Sequence, residues 1–140
     1  MPALKTYDIF ISHAWTYSKD YYNLVDLLDS AANFKWRNYS VPSHNPVIDP
    51  STEAGKRALK KELDQQIRPV NCVLVISGMY ATYREWIQNE MELASGYNKP
   101  IIGVIPWGQE RVSTAVSSAA KQMVRWNTDS IVAAIRKWSI

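Results

Sequence analysis

The chain has 140 residues, 46% of them hydrophobic and 21% charged, which fits one folded domain with a substantial core and excludes a disordered or low-complexity chain. Its net charge of +3 is modest, and Lys56, Arg57, Lys60 and Lys61 alternate with Glu53, Glu62 and Asp64 as on a solvated helix face, so nucleic acid is not an expected partner. No apolar run approaches the ~20 residues needed to cross a bilayer, so no membrane association is expected either.

Met1 to Thr6 lacks the apolar core of a signal peptide, and the lone Cys72 cannot form an internal disulfide. Both point to a cytoplasmic protein. Cys72 lies in an apolar run, Cys72-Val73-Leu74-Val75-Ile76, which predicts a buried, inert thiol.

Tyr7 to Ser12 is β-rich and ends in polar residues, the pattern of a first strand. A helix is predicted from about Lys19 to Phe34, with Tyr21, Leu24, Val25, Leu28, Ala31 and Ala32 on its apolar face. Arg37 to Val41 is a second strand, and three prolines mark a loop over residues 42–50. Asp49 or Ser51 is the expected cap of the next helix, with Pro50 in its first turn and Leu59, Leu63 and Ile67 buried. Asn71 to Ser77 is apolar throughout and therefore a central strand. A helix from Tyr83 to about Tyr97, a strand from Pro100 to Ile105, and a partly helical stretch over residues 109–121 follow. Gln122 to Trp126 is a last strand, and Asn127 caps a final helix carrying Ile131, Val132, Ile135 and Trp138.

This alternation predicts an α/β fold: a single-domain, flavodoxin-like three-layer sandwich with a five-stranded parallel sheet in the order 2-1-3-4-5. In such sheets ligands bind beyond the carboxyl ends of the strands, near where strands 1 and 3 diverge. Ser12, His13 and Trp15 fall at the end of strand 1, Ser77 at the end of strand 3, and Trp107 at the end of strand 4. Hydroxyls, an imidazole and indoles on one rim suit a planar, polar ligand, although tryptophans also serve to cover sheet edges.

One residue on the helix over 83–97 breaks its pattern. At ~100° per residue, Tyr83, Trp86, Ile87, Leu93, Ala94 and Tyr97 share one side, while Glu85, Gln88, Glu92 and Ser95 face the other. Glu90 falls in the middle of the apolar side, one turn after Trp86. A carboxylate there is costly unless it is paired or lines a cavity, and desolvation raises its pKa, a common property of functional acids. It is either a site carboxylate or a structural glutamate that snorkels to the rim or pairs with an arginine or a backbone amide.

Several chemistries are disfavoured. His13, His44 and Cys72 form no metal-ligand pattern, and no GxGxxG or GxxxxGK[ST] phosphate loop occurs. No Ser-His-Asp arrangement can be assigned. The ends of strands 1 and 3 lack the carboxylates with which a receiver domain holds Mg²⁺.

Tyr7-Asp8-Ile9-Phe10-Ile11-Ser12-His13-Ala14 resembles the first box of TIR domains, and Trp86-Ile87-Gln88-Asn89-Glu90 resembles the Trp-x-x-x-Glu pattern of TIR NAD hydrolases. Over nearly its whole length, residues 1–140, the chain looks like the single TIR-like domain of Thoeris antiphage systems and its prokaryotic relatives. The resemblance implies that Glu90 is the catalytic glutamate of an enzyme cleaving the nicotinamide–ribose bond of NAD⁺. NAD⁺ is then substrate, with no cofactor, and a cyclic ADP-ribose-type messenger is one implied product. Ser12, His13, Trp15, Ser77, Trp86 and Trp107 are the expected substrate-binding residues, and self-association or another TIR-like protein is the expected protein partner.

The loop over 42–50 departs from the Arg-Asp-x-x-Pro-Gly box of receptor TIR domains, and no late Phe-Trp box occurs. That departure argues against receptor-style adaptor docking and leaves the loop's role open. The alternatives to the enzyme are a non-catalytic TIR-like interaction module that assembles with itself or another TIR-like protein, and a nucleoside deoxyribosyltransferase-like enzyme of the same topology.

Overall fold

The computed structural model describes residues 5–12, 19–40, 52–77, 84–106 and 114–140, apart from the side chains of residues 59 and 84–86. Within them strands and helices alternate. β1 (Thr6–Ile11) is followed by α1 (Lys19–Asp29) and β2 (Lys35–Asn38), then by α2 (Glu53–Ile67) and β3 (Cys72–Ile76). Next come α3 (Arg84–Gly96), β4 (Ile101–Ile105), α4 (Thr114–Ala119), β5 (Gln122–Arg125) and α5 (Thr128–Trp138).

The strands form one parallel sheet in the order β2-β1-β3-β4-β5, as predicted. β3 and β4 are buried at every position, because helices cover both faces of the sheet. The edge strands β2 and β5 are short and mix exposed with covered positions. Right-handed crossovers place α1 on the opposite face from α2, α3 and α4, since only the step from β1 to β2 runs the other way. Accordingly α1 packs on α5, and α2 on α3. The core fills the space between these layers with Phe10, Leu74 and Ile102 from the sheet and Leu24, Leu63, Ile87, Ile131 and Ile135 from the helices.

Several boundaries shift by a residue or more, β2 for instance beginning at Lys35 rather than Arg37, and three of the shifts have a visible cause. α1 ends at Asp29 rather than Phe34, because Thr6 pairs with Lys35 and the chain must reverse before that strand begins. Asn33 makes the reversal with φ of 55°, Ala32 is exposed, and Phe34 stacks on Tyr7 at 5.5 Å. β2 stops at Asn38, whose side-chain oxygen accepts from the Ser40 amide at 2.9 Å and turns the chain away. The cap of α2 is Thr52, not Asp49 or Ser51: its hydroxyl accepts from the Gly55 amide at 2.9 Å. Asn127 caps α5 as expected, accepting from Ser130 at 3.0 Å. The predicted loop over 42–50, with Pro50, and the predicted helix start at Tyr83 lie outside the described residues.

At the amino edge of the sheet, Asn71 joins three parts of the chain. Its side-chain oxygen accepts from the Asp8 amide at 2.8 Å, and its side-chain nitrogen donates to the Ile140 carbonyl at 2.7 Å. The Ile140 amide donates back to the Asn71 carbonyl at 3.2 Å. No described helix is long and apolar enough to cross a membrane.

Candidate active site

The carboxyl edge of the sheet is set by how β1 and β3 finish. Ile11 pairs with Leu74, and the next residue, Ser12, donates its amide to the Leu74 carbonyl at 2.8 Å. Its backbone is thus fixed on β3 although β1 has ended. Ser12 is fully buried. Ser77, one residue past β3, is 2% exposed and brings a second hydroxyl to the same edge.

α3 returns from this edge with a buried stripe of Ile87, Glu90, Met91 and Ala94. These positions follow the i, i+3, i+4, i+7 rule of a packed helix face. Glu90 occupies one of them and is 0% exposed. An apolar side chain there would contribute roughly 1.5–3 kcal/mol by burial. A carboxylate forfeits that gain and must also be compensated for lost water. Ser12 supplies part of the compensation, donating its hydroxyl hydrogen to Glu90 Oε2. The hydroxyl brings a proton but no countercharge. By contrast Glu92, two residues on, is exposed and accepts only from Gln88 on its own helix at 3.3 Å among the hydrogen bonds of described residues.

The structure therefore brings Ser12 and Glu90 into contact and sets Ser77 on the same edge. Trp86 lies on the first turn of α3, its side chain outside the description. His13, Trp15 and Trp107 also lie outside the described residues. Among the described residues, no group of three or more His, Cys, Asp or Glu is placed to hold a metal ion. Cys72 is buried at the start of β3, far from the carboxyl edge. Burial pushes its thiol up to about 12, against smaller opposing effects of the Ser139 hydrogen bond and the Lys5 charge. It is no nucleophile at neutral pH.

A second polar group at the carboxyl edge of β2 escaped the sequence reading. Asn38 donates its side-chain amide to the Tyr21 hydroxyl at 3.0 Å, and the Ser40 hydroxyl donates to Asn38 Oδ1. Tyr21 and Ser40 lie 3.2 Å apart, and both are buried. An Asn-x-Ser following a strand was the available signal, but Tyr21 had already been assigned to the apolar stripe of its helix.

The family model of the TIR-like domain of Thoeris protein ThsB matches residues 10–111. The chain belongs to that family. The ThsB-type match begins in β1 at Phe10 and encloses Ser12, Ser77, Trp86, Glu90 and Trp107, while α4, β5 and α5 lie beyond it. No curated protein matches the chain in sequence. Among solved structures, the chain is similar to FerB, a flavoenzyme NAD(P)H:(acceptor) oxidoreductase from Paracoccus denitrificans. The identity is 14% and the TM-score 0.49, over 97% of this chain and 100% of FerB. That likeness carries no argument about chemistry.

Proposed function

We propose that this ThsB-type TIR-like domain cleaves the N-glycosidic bond between nicotinamide and ribose in NAD⁺, with Glu90 as its catalytic carboxylate. The observation that carries the reading is Glu90 itself: a fully buried acid on an apolar helix stripe, held by a hydroxyl at the carboxyl edge where β1 and β3 end. Family membership supports a TIR-type role in antiphage defence.

The chemistry asks little beyond one placed negative charge. The nicotinamide ring is already cationic in NAD⁺, so it departs as a neutral molecule with the bonding electron pair and needs no general acid. Positive charge then develops on the ribose carbon, as in glycoside cleavage. An ionised Glu90 beside that carbon stabilises it electrostatically or by transient attack, and more strongly in a dry site than in water. Water adding to the carbon and losing a proton gives ADP-ribose. A ring nitrogen or hydroxyl of the same molecule adding instead, with loss of a proton, gives a cyclic ADP-ribose that is one water lighter, the form suited to a messenger.

The remaining assignments follow the rim. Trp15, Trp86 and Trp107 stack on the nicotinamide or adenine ring, and His13 with the backbone amides after β1 holds the diphosphate. Ser77 adds a hydroxyl on the β3 side. NAD⁺ is substrate here, and no resident cofactor is assigned. Self-association or pairing with another TIR-like chain completes the active assembly.

The test is nicotinamide release from NAD⁺ at high protein concentration by the native chain, Glu90→Gln and Glu92→Gln. Release by the native chain and Glu92→Gln, but not Glu90→Gln, supports the reading, and the product's mass and retention separate hydrolysis from cyclisation. Base release from nucleosides but not from NAD⁺ would replace it with deoxyribosyltransferase-like chemistry. No release from either, with no NAD⁺ binding, leaves an interaction module.

A further inference from the structure

We infer that Ser12 is the positioning residue for Glu90, acting through the carboxylate rather than as a direct ligand of the substrate. This rests on the glycosidic reading above and adds a role for a hydroxyl that the sequence pattern assigned to substrate binding.

Three features carry it. The Ser12 hydroxyl donates to Glu90 Oε2, so its hydrogen is committed to the carboxylate. The Ser12 amide donates to the Leu74 carbonyl at 2.8 Å, which fixes the backbone bearing that hydroxyl on a central strand. Both side chains are fully buried. A glutamate has three side-chain torsions, and α3 restrains only the first directly. One donor on a rigid strand end removes the freedom of the last, so the carboxylate is aimed before substrate arrives.

The same bond bears on charge. A hydroxyl donor stabilises a carboxylate more than a carboxylic acid, so Ser12 favours the ionised Glu90 that the reaction requires. Such preorganisation acts on the bond-breaking step. Substrate affinity, set by the rings and diphosphate, is left largely unchanged.

The experiment compares nicotinamide release by the full native chain, Glu90→Gln, Ser12→Ala, Ser12→Cys and Ser12→Thr, with kcat and KM measured separately and folding followed by thermal melting. Cysteine fills the space of serine but is a weak donor, whereas threonine keeps the hydroxyl. The expected result is a fall in kcat of about tenfold to a hundredfold in Ser12→Ala and Ser12→Cys, with KM within about twofold. Ser12→Thr keeps a larger share of kcat than Ser12→Cys. A cysteine variant as active as the native chain would make Ser12 a space-filler. A loss expressed in KM alone would make it a substrate ligand. Either overturns this assignment while Glu90 stands, provided Glu90→Gln is inactive. No release from the native chain would remove the reaction, and this role with it.

Discussion

Ser12 donates its hydroxyl to Glu90 across 78 positions of sequence, joining the end of β1 to the middle of α3. The two residues are brought together by the parallel pairing of β1 with β3, whose crossover to β4 carries α3 back over the sheet. The site is therefore a product of topology, and its parts should respond differently to substitution.

Glu90→Gln is expected to keep or raise the melting temperature while abolishing turnover. Glutamine preserves volume and can still accept from Ser12, but it carries no charge to desolvate. Paired thermal melts and nicotinamide assays check this. A glutamate retained for stability would instead show a large loss of melting temperature with glutamine.

Gly103 on β4 has no room for a side chain. A side chain there would run into the Met123 thioether and meet Val116 Cγ1 at 3.3 Å, so β5 and α4 both press on this position. Gly103→Ala should cost about 1–3 kcal/mol through overpacking. Because the closest atom belongs to a flexible methionine, the cost should shrink in a Met123→Ala background. Urea denaturation of the native chain, the two single variants and the double variant gives the coupling directly.

The Cys72 thiol makes stability fall at high pH. Below its ordinary value of 9.0 the folded and unfolded chains both hold the proton, and no slope arises. Between 9.0 and about 12 the unfolded thiol ionises while the folded one does not, so the native state binds more protons and stability declines. The native chain should therefore lose stability faster than Cys72→Ala over this range. Alkylation near pH 8 should likewise require unfolding, which mass spectrometry with and without denaturant resolves.

Tyr97 ties α3 to α2. Its hydroxyl donates to Asp64 Oδ1 at 2.5 Å, and Arg68 donates to the same hydroxyl at 3.2 Å. Tyr97→Phe should cost about 1 kcal/mol, with an unchanged dependence on denaturant because no surface exposure is altered. Turnover should drop little, since the hydrogen bond from Ser12 to the carboxylate is untouched.

The fold was legible because β3 and β4 are unbroken apolar runs and the helices between strands keep their period. Glu90 was legible because a charge on an apolar stripe contradicts the rule that makes the stripe. Its partner was not. Ser12 stood in the same motif as His13, and no local pattern shows that its hydroxyl points to α3. Boundaries failed where a single side chain decides them: Asn33 reversing the chain, Asn38 ending β2, and Thr52 in place of either neighbouring cap. The Tyr21–Asn38–Ser40 group was missed for a related reason, since periodicity reports the tyrosine ring and says nothing of its hydroxyl.

Asn71 gives the domain a handle. It ties Ile140 to the strand beginnings, whereas Ser12 and Glu90 meet at the strand endings. Asp8, which donates to Asn71, lies four residues before Ser12, a separation of about 13 Å along the strand. A surface, a label or a second protein attached through Ile140 would grip the sheet at its amino edge and leave the Ser12–Glu90 edge on the far side. The domain can thus be tethered in arrays with its candidate site facing the solution.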